Sequence, residues 1–259
     1  MSTFEYNSRA WDSEVERGNR WSIPVTTNDV QNARAGTWKI LLTPQKPVPR
    51  AWFPPLEDSN VLCLASGGGQ QAPLLAAAGA RVTVLDASEK QLERDEMVAK
   101  RDGLDIRTVK GSMSDLSRFS ANEFDLIVHP VSNCFIEDVL PVWNEAFRVL
   151  KPGACLLSGF NNPVIYCYDP DLLEKGVVQM KYKLPYSDLT SLTEAERKRY
   201  TDKNDPLHFG HSLEDQIGGQ IAAGFVIAGF YEDIYGDQIF DSFAPGFIAT
   251  RSIKPRGND

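Results

Sequence analysis

The run Ser66-Gly67-Gly68-Gly69 and the acid Asp86, about 20 residues downstream, are the residues of this chain best suited by type and spacing to hold a ligand. Glycines let the backbone come within contact distance of a bound molecule, and a helix that starts directly after them presents free N–H groups to a carboxylate or phosphate. The Asp86 carboxylate can accept from two vicinal hydroxyls, one per oxygen, as a ribose diol requires. Together they point to a nucleoside-bearing cofactor. The competing reading is a plain tight turn followed by an acid that merely caps a helix, and the pair at this spacing favours the ligand over it. His129, at the end of the apolar run Phe124 to His129, is the candidate with a pKa near neutrality for acid–base work; the competing reading is a neutral imidazole hydrogen-bonded at a strand end. His208 and His211 form H-x-x-H with no acidic or thiol ligand close by, so no metal is expected.

These residues need elements to carry them. Asn60 to Ala65 reads as a strand, Gln70 to Ala80 as a helix, and Arg81 to Asp86 as a second strand. Ser88 opens a helix that Gly103 ends, with Gln91 completing a capping-box pattern. Asp105 to Lys110, Phe124 to His129 and Ala154 to Phe160 are further strands, and Val139, Val142, Ala146 and Leu150 mark a helical stripe between the last two. Such alternation predicts an α/β fold, a doubly wound and mostly parallel sheet, with ligands beyond the carboxyl ends of the strands. Ser212 starts one more helix, and Phe225 to Ile234 with Phe243 to Ile253 read as an antiparallel pair at the sheet edge.

A nicotinamide dinucleotide and S-adenosylmethionine both require glycines followed by an acid. In a G-x-G-x-x-G reading begun at Ala65 the last position is Gln70, which would crowd helix against strand and weakens the dinucleotide alternative. In order along residues 56 to 254, the chain resembles the class I S-adenosylmethionine-dependent methyltransferases. Val61 to Gly69 looks like their glycine-rich motif, Val84-Leu85-Asp86-Ala87-Ser88 like the acidic end of their second strand, and Gly111 to Leu116 like their adenine-contacting turn. Phe124 to His129 resembles their fourth strand and Phe147 to Gly153 the approach to their fifth. The resemblance implies a Rossmann-like sheet of seven strands with a C-terminal antiparallel hairpin. It also implies cofactor contacts from Ala65, Ser66, Gly67 and Gly69, ribose binding by Asp86, and an adenine edge at Ser112 and Met113, with Ala87, Ser88, Gln91 and His129 nearby. Two positions depart from the family: Cys63 stands where an acid is usual, and Ala65 replaces the first glycine, a mild change if its φ is negative. Cys63 keeps a non-catalytic cofactor-binding protein as a second alternative.

The chain has 259 residues, 42% of them hydrophobic, and a net charge of −8, enough for a full core and without a broad cationic field for nucleic acid or an anionic bilayer. The polar start and the lack of a long apolar run fit a cytoplasmic protein, and four scattered cysteines fit reduced, buried thiols. Residues 1–55 hold four of the five tryptophans and read as an aromatic-rich extension, while 56–259 form the methyltransferase domain with 161–210 as an insertion. Both irregular segments are expected to form a lid over a small-molecule acceptor. Tyr6, Trp11, Trp21, Asn133, Tyr166 and Tyr168 are its candidate contacts, whereas Trp38 and Trp52 are expected to be packing.

Overall fold

The computed structural model describes residues 1–257. Two helices precede the first strand: α1 (Thr3–Glu16) and α2 (Thr27–Arg34), each opened by a capping box, Ser2 with Glu5 and Thr26 with Asp29. Neither shows an apolar stripe, because the buried face of α1 includes Asn7 and Ser8, whose partners lie far away in sequence. Residues 35–59 are irregular apart from a short turn at Arg50–Trp52, as the prolines require.

The expected alternation follows as β1 (Asn60–Leu64), α3 (Gln71–Ala77), β2 (Arg81–Asp86), α4 (Glu89–Asp102), β3 (Ile106–Lys110), β4 (Phe124–His129), α5 (Leu140–Val149) and β5 (Leu150–Asn161). Gly103 ends α4 in the left-handed conformation. The insertion carries α6 (Pro170–Leu173), β6 (Tyr186–Ser187), α7 (Glu194–Thr201) and β7 (Phe209–Gly210), with β6 and β7 paired as a small sheet of their own. The helix expected at Ser212 begins as a π turn, Glu214–Gly218, before α8 (Gly219–Ala222); the Asp215 carbonyl accepts from the Trp143 indole at 2.9 Å. The edge strands β8 (Val226–Asp233) and β9 (Phe247–Ile253) complete a seven-stranded sheet in the order β3-β2-β1-β4-β5-β9-β8. The first five are parallel, and β9 runs antiparallel to both β5 and β8.

Strand periodicity divides the core between two faces. Val61 and Cys63 of β1 point toward Ala72 and Leu75 of α3 and Leu92 of α4, whereas Leu62 and Leu64 face Trp143 and Ala146 of α5. Trp38 and Trp52 pack against the first of these clusters, as expected of structural residues. The segment around Leu42 crosses the carboxyl end of β5, where a Cβ on Gly159 would collide with the Leu42 carbonyl. Buried Asp233 ties that segment to the sheet edge by accepting from the Thr43 hydroxyl at 2.7 Å and the N–H groups of Gln45 and Lys46 at 2.8 Å. All four cysteines are free and buried. Among the described residues no helix is long and apolar enough to cross a membrane.

Candidate active site

A cleft of about 280 Å³ opens beyond the carboxyl ends of β1, β2 and β4, where the helices diverge to opposite faces of the sheet. The structure brings Ala65, Ser66, Gly67, Asp86, Ala87, Gln91, Ser112 and Met113 together on its wall. Asp86 sits at its centre: Oδ2 accepts the Gly67 N–H and Oδ1 the Ser88 N–H, each at 2.9 Å. Each oxygen keeps a further lone pair, so a diol can still be accepted. Desolvation raises the Asp86 carboxyl above the usual range, and those two N–H groups pull it back.

Gly67 is required by space rather than by φ, since a Cβ there would lie 2.7 Å from the Gln91 Cβ and 3.1 Å from Asp86 Oδ2. Ala65 corrects an expectation: its φ is +46°, so the residue standing in for a glycine bears left-handed strain of about 1 kcal/mol. Gln91 does not close a capping box. Its backbone N–H goes to the Ser88 hydroxyl, and its side-chain Oε1 is buried without a partner beside the cleft. An orphaned acceptor, a carboxylate with spare lone pairs and an apolar edge at Met113 and Ile136 fit the ammonium, diol and base of S-adenosylmethionine.

Three expected cofactor contacts and one expected substrate contact are elsewhere. Gly69 is buried behind the loop, where a Cβ would meet Pro24 at 2.9 Å and the Arg94 carbonyl at 3.0 Å. Ser88 is wholly buried as the cap of α4, its hydroxyl donating to Asp12 at 2.6 Å. His129 is also wholly buried, with Nδ1 donating to the Leu64 carbonyl at 2.8 Å and Nε2 2.7 Å from the Asn133 side-chain amide. Desolvation lowers its pKa, and the ring lines neither the cleft nor the cavity beside it, so the structure does not bring His129 to the place that the catalytic and cofactor-facing readings require. Asn133 lies in the same buried network, donating to Gln216 at 2.9 Å, and lines neither the cleft nor the cavity beside it.

A second cavity of about 660 Å³ adjoins the cleft and shares Trp11, Trp21, Phe135, Asn161, His208 and Tyr235 with it. Tyr166 and Tyr168, two of the candidate acceptor contacts, line it. Tyr6 does not; its hydroxyl donates to the Asp205 carbonyl at 3.0 Å, in the seam between extension and insertion. In that seam Asn7 also exchanges hydrogen bonds with the backbone of Leu207 at 2.8 and 3.0 Å. Sequence reasoning missed Tyr182, Tyr186, Asp188 and Tyr200 on the cavity wall, and only their clustering with other tyrosines marked them.

Asp95 was missed as well. It is wholly buried on α4, and Oδ2 accepts the Gly68 N–H at 3.1 Å while Oδ1 has no partner. Burial raises its pKa well above the usual range, and it adds to the desolvation that raises the Cys63 thiol. A carboxyl group thus stands behind the glycine loop on α4, although β1 carries Cys63.

Residues 62–158 match the methyltransferase domain family. The chain is 55% identical to the uncharacterized methyltransferase YbaJ of Bacillus subtilis (strain 168), over 96% of this chain and 97% of that protein. Its fold is similar to an S-adenosylmethionine dependent methyltransferase from Mesorhizobium loti, with a TM-score of 0.61 and 18% identity over 79% of this chain and 94% of the other. A putative S-adenosylmethionine dependent methyltransferase from Listeria monocytogenes gives 0.62 and 17% over 80% and 95%. The chain belongs to the class I S-adenosylmethionine-dependent methyltransferases. It is an S-adenosylmethionine-dependent enzyme of that class, and neither alternative weighed from the sequence is favoured.

Proposed function

We propose that this enzyme methylates a small molecule held in the aromatic cavity, with the cofactor in the adjoining cleft. The observation that carries this reading is the shared wall of the two spaces, where Trp11, Trp21, Phe135 and His208 face both. S-adenosylmethionine supplies an electrophilic methyl group whose departure leaves a neutral thioether. What remains for the chain is to align the acceptor and exclude water. Ala65, Ser66, Gly67 and Gln91 hold the cofactor's amino-acid end, Asp86 its ribose, and Ala87, Ser112 and Met113 its base. With His129 sealed off, His208 is the imidazole facing both spaces, available to take a proton from the acceptor.

Residues 1–55 and 161–210 act as a lid that opens for exchange, held shut by the Tyr6, Asn7 and Arg17 bonds to residues 203–207. Extract fractions incubated with methyl-labelled S-adenosylmethionine test the acceptor class. Label is expected in the small-molecule fraction, and label confined to protein or nucleic acid would overturn the reading. In the same preparation Asp86→Ala should weaken S-adenosylhomocysteine binding by about 1.5–3 kcal/mol, about tenfold or more in Kd by calorimetry. Unchanged affinity in a folded variant would remove Asp86 from the ribose.

A further inference from the structure

We infer that the aromatic cavity takes an acceptor whose apolar body carries a positive charge, a protonated or quaternary nitrogen apart from the atom that receives the methyl group. The inference rests on the reading of that cavity as the acceptor site and names its substrate class.

Tyr182, Tyr186 and Tyr200 contribute to its wall together with Trp11, Trp21 and Phe240. Tyr166 stacks on Tyr186 at 5.3 Å and Tyr182 meets the same ring edge-on at 5.2 Å, so the tyrosines form one aromatic cluster on the cavity wall, where the Lys181 ammonium already lies 5.0 Å from the centroid of the Tyr182 ring. The negative faces of such rings attract a cation and are indifferent to a neutral group of the same shape.

The charges on the wall have one sign. Glu14, Asp188 and Asp205 line the cavity, and no Lys or Arg does. Arg17, outside it, pairs with Glu14 at 2.5 Å and Asp205 at 3.2 Å. Asp188 has neither Lys nor Arg beside it among the described residues. It is 6% exposed, and its oxygens accept from the Tyr186 hydroxyl and the His208 backbone N–H, both at 2.7 Å. Asp188 thus has neutral donors and no Lys or Arg partner on the wall, a position that a cation in the cavity would fill. An anionic acceptor would be repelled by the acids on the wall. The His208 imidazole lies 3.8 Å from Asp188 and would compete if protonated, so binding is best measured at pH 8.

The probes are choline and 3,3-dimethylbutan-1-ol, which has the same shape with carbon in place of nitrogen. Each is titrated calorimetrically into the full chain saturated with S-adenosylhomocysteine. Choline is expected to bind at least about tenfold more tightly than the alcohol. Asp188→Asn should abolish most of that preference while leaving the alcohol unchanged. Because Asp188 also supports Tyr186, Tyr182→Leu and Tyr182→Phe form a second pair: the first should reduce the preference and the second retain it. Equal binding of the two probes, or a preference that survives both Asp188→Asn and Tyr182→Leu, overturns the inference. Separate titration with S-adenosylhomocysteine distinguishes the levels. If it binds and choline shows no preference, only the substrate class fails; if it does not bind, the cofactor reading falls and this inference with it.

Discussion

Around Gly67 the protein offers main-chain N–H groups, one carboxylate and a turn without room for a Cβ, all within residues 65–91. Around Tyr186 it offers aromatic rings and acids brought from the extension, the insertion and the sheet edge, from Trp11 to Phe240. The first region is local and built largely from backbone; the second is assembled from side chains far apart in sequence. A cofactor shared by a whole class can be held by the first kind of site, whereas an acceptor particular to one enzyme calls for the second. Substitutions in the two regions should therefore separate cofactor affinity from acceptor turnover.

The largest separation is expected from Gly67→Val. The new side chain must displace Gln91 or Asp86, so S-adenosylhomocysteine affinity should fall about a hundredfold or more, with methyl transfer lost in parallel. Retained tight binding by calorimetry would show that the loop does not shape the cleft. Trp11→Ala should act the other way round. It removes a wall common to both spaces and its edge contact with Phe135 at 5.0 Å, so acceptor kcat/KM should drop about ten- to a hundredfold. The Kd for S-adenosylhomocysteine should change far less, and equal losses in both would erase the distinction between the regions.

Two smaller effects probe the framework behind both. Desolvation lowers the pKa of His129 and of His211 below 6.5, so the folded state binds these protons less readily than the unfolded chain. Their contribution to stability is complete above pH 6.5 and is lost as pH falls through the lowered values, by at most about 1.4 kcal/mol per pH unit for each ring. Denaturant unfolding of His129→Gln between pH 7 and 5 should show a shallower decline than the parent. Its kcat pH profile should keep its shape, because the ring does not face the reacting groups; a displaced profile would restore His129 as the base. The smallest effect is a gain: Ala65→Gly relieves the φ of +46° but enlarges the freedom of the unfolded chain. A net stabilisation of about 0.5 kcal/mol, or about 1–2 °C in Tm, should appear in thermal unfolding without cofactor.

The sequence by itself determined the sheet and most of the cofactor cleft. Apolar runs of strand length, the glycines after β1 and the acid ending β2 are local signals, and their order placed Ala65 to Gly67 and Asp86 on one wall. The same locality misled at Gly69, Ser88 and His129, which occupy the right stretches but face α4 or the core, because side-chain direction at a strand end depends on what packs there. Helix α1 was illegible because its buried face includes polar residues satisfied only by distant ones, as Asn7 is by Leu207, and the short α2 buries only Val30 and Ala33. Tertiary structure alone decided that α4 would set Asp95 behind the glycine loop, opposite a strand that carries Cys63. It alone also gathered Trp11, Tyr186 and Asp188 around one cavity. No local pattern encodes such meetings, since burial of each side chain depends on the segments that close over it and not on its neighbours in sequence.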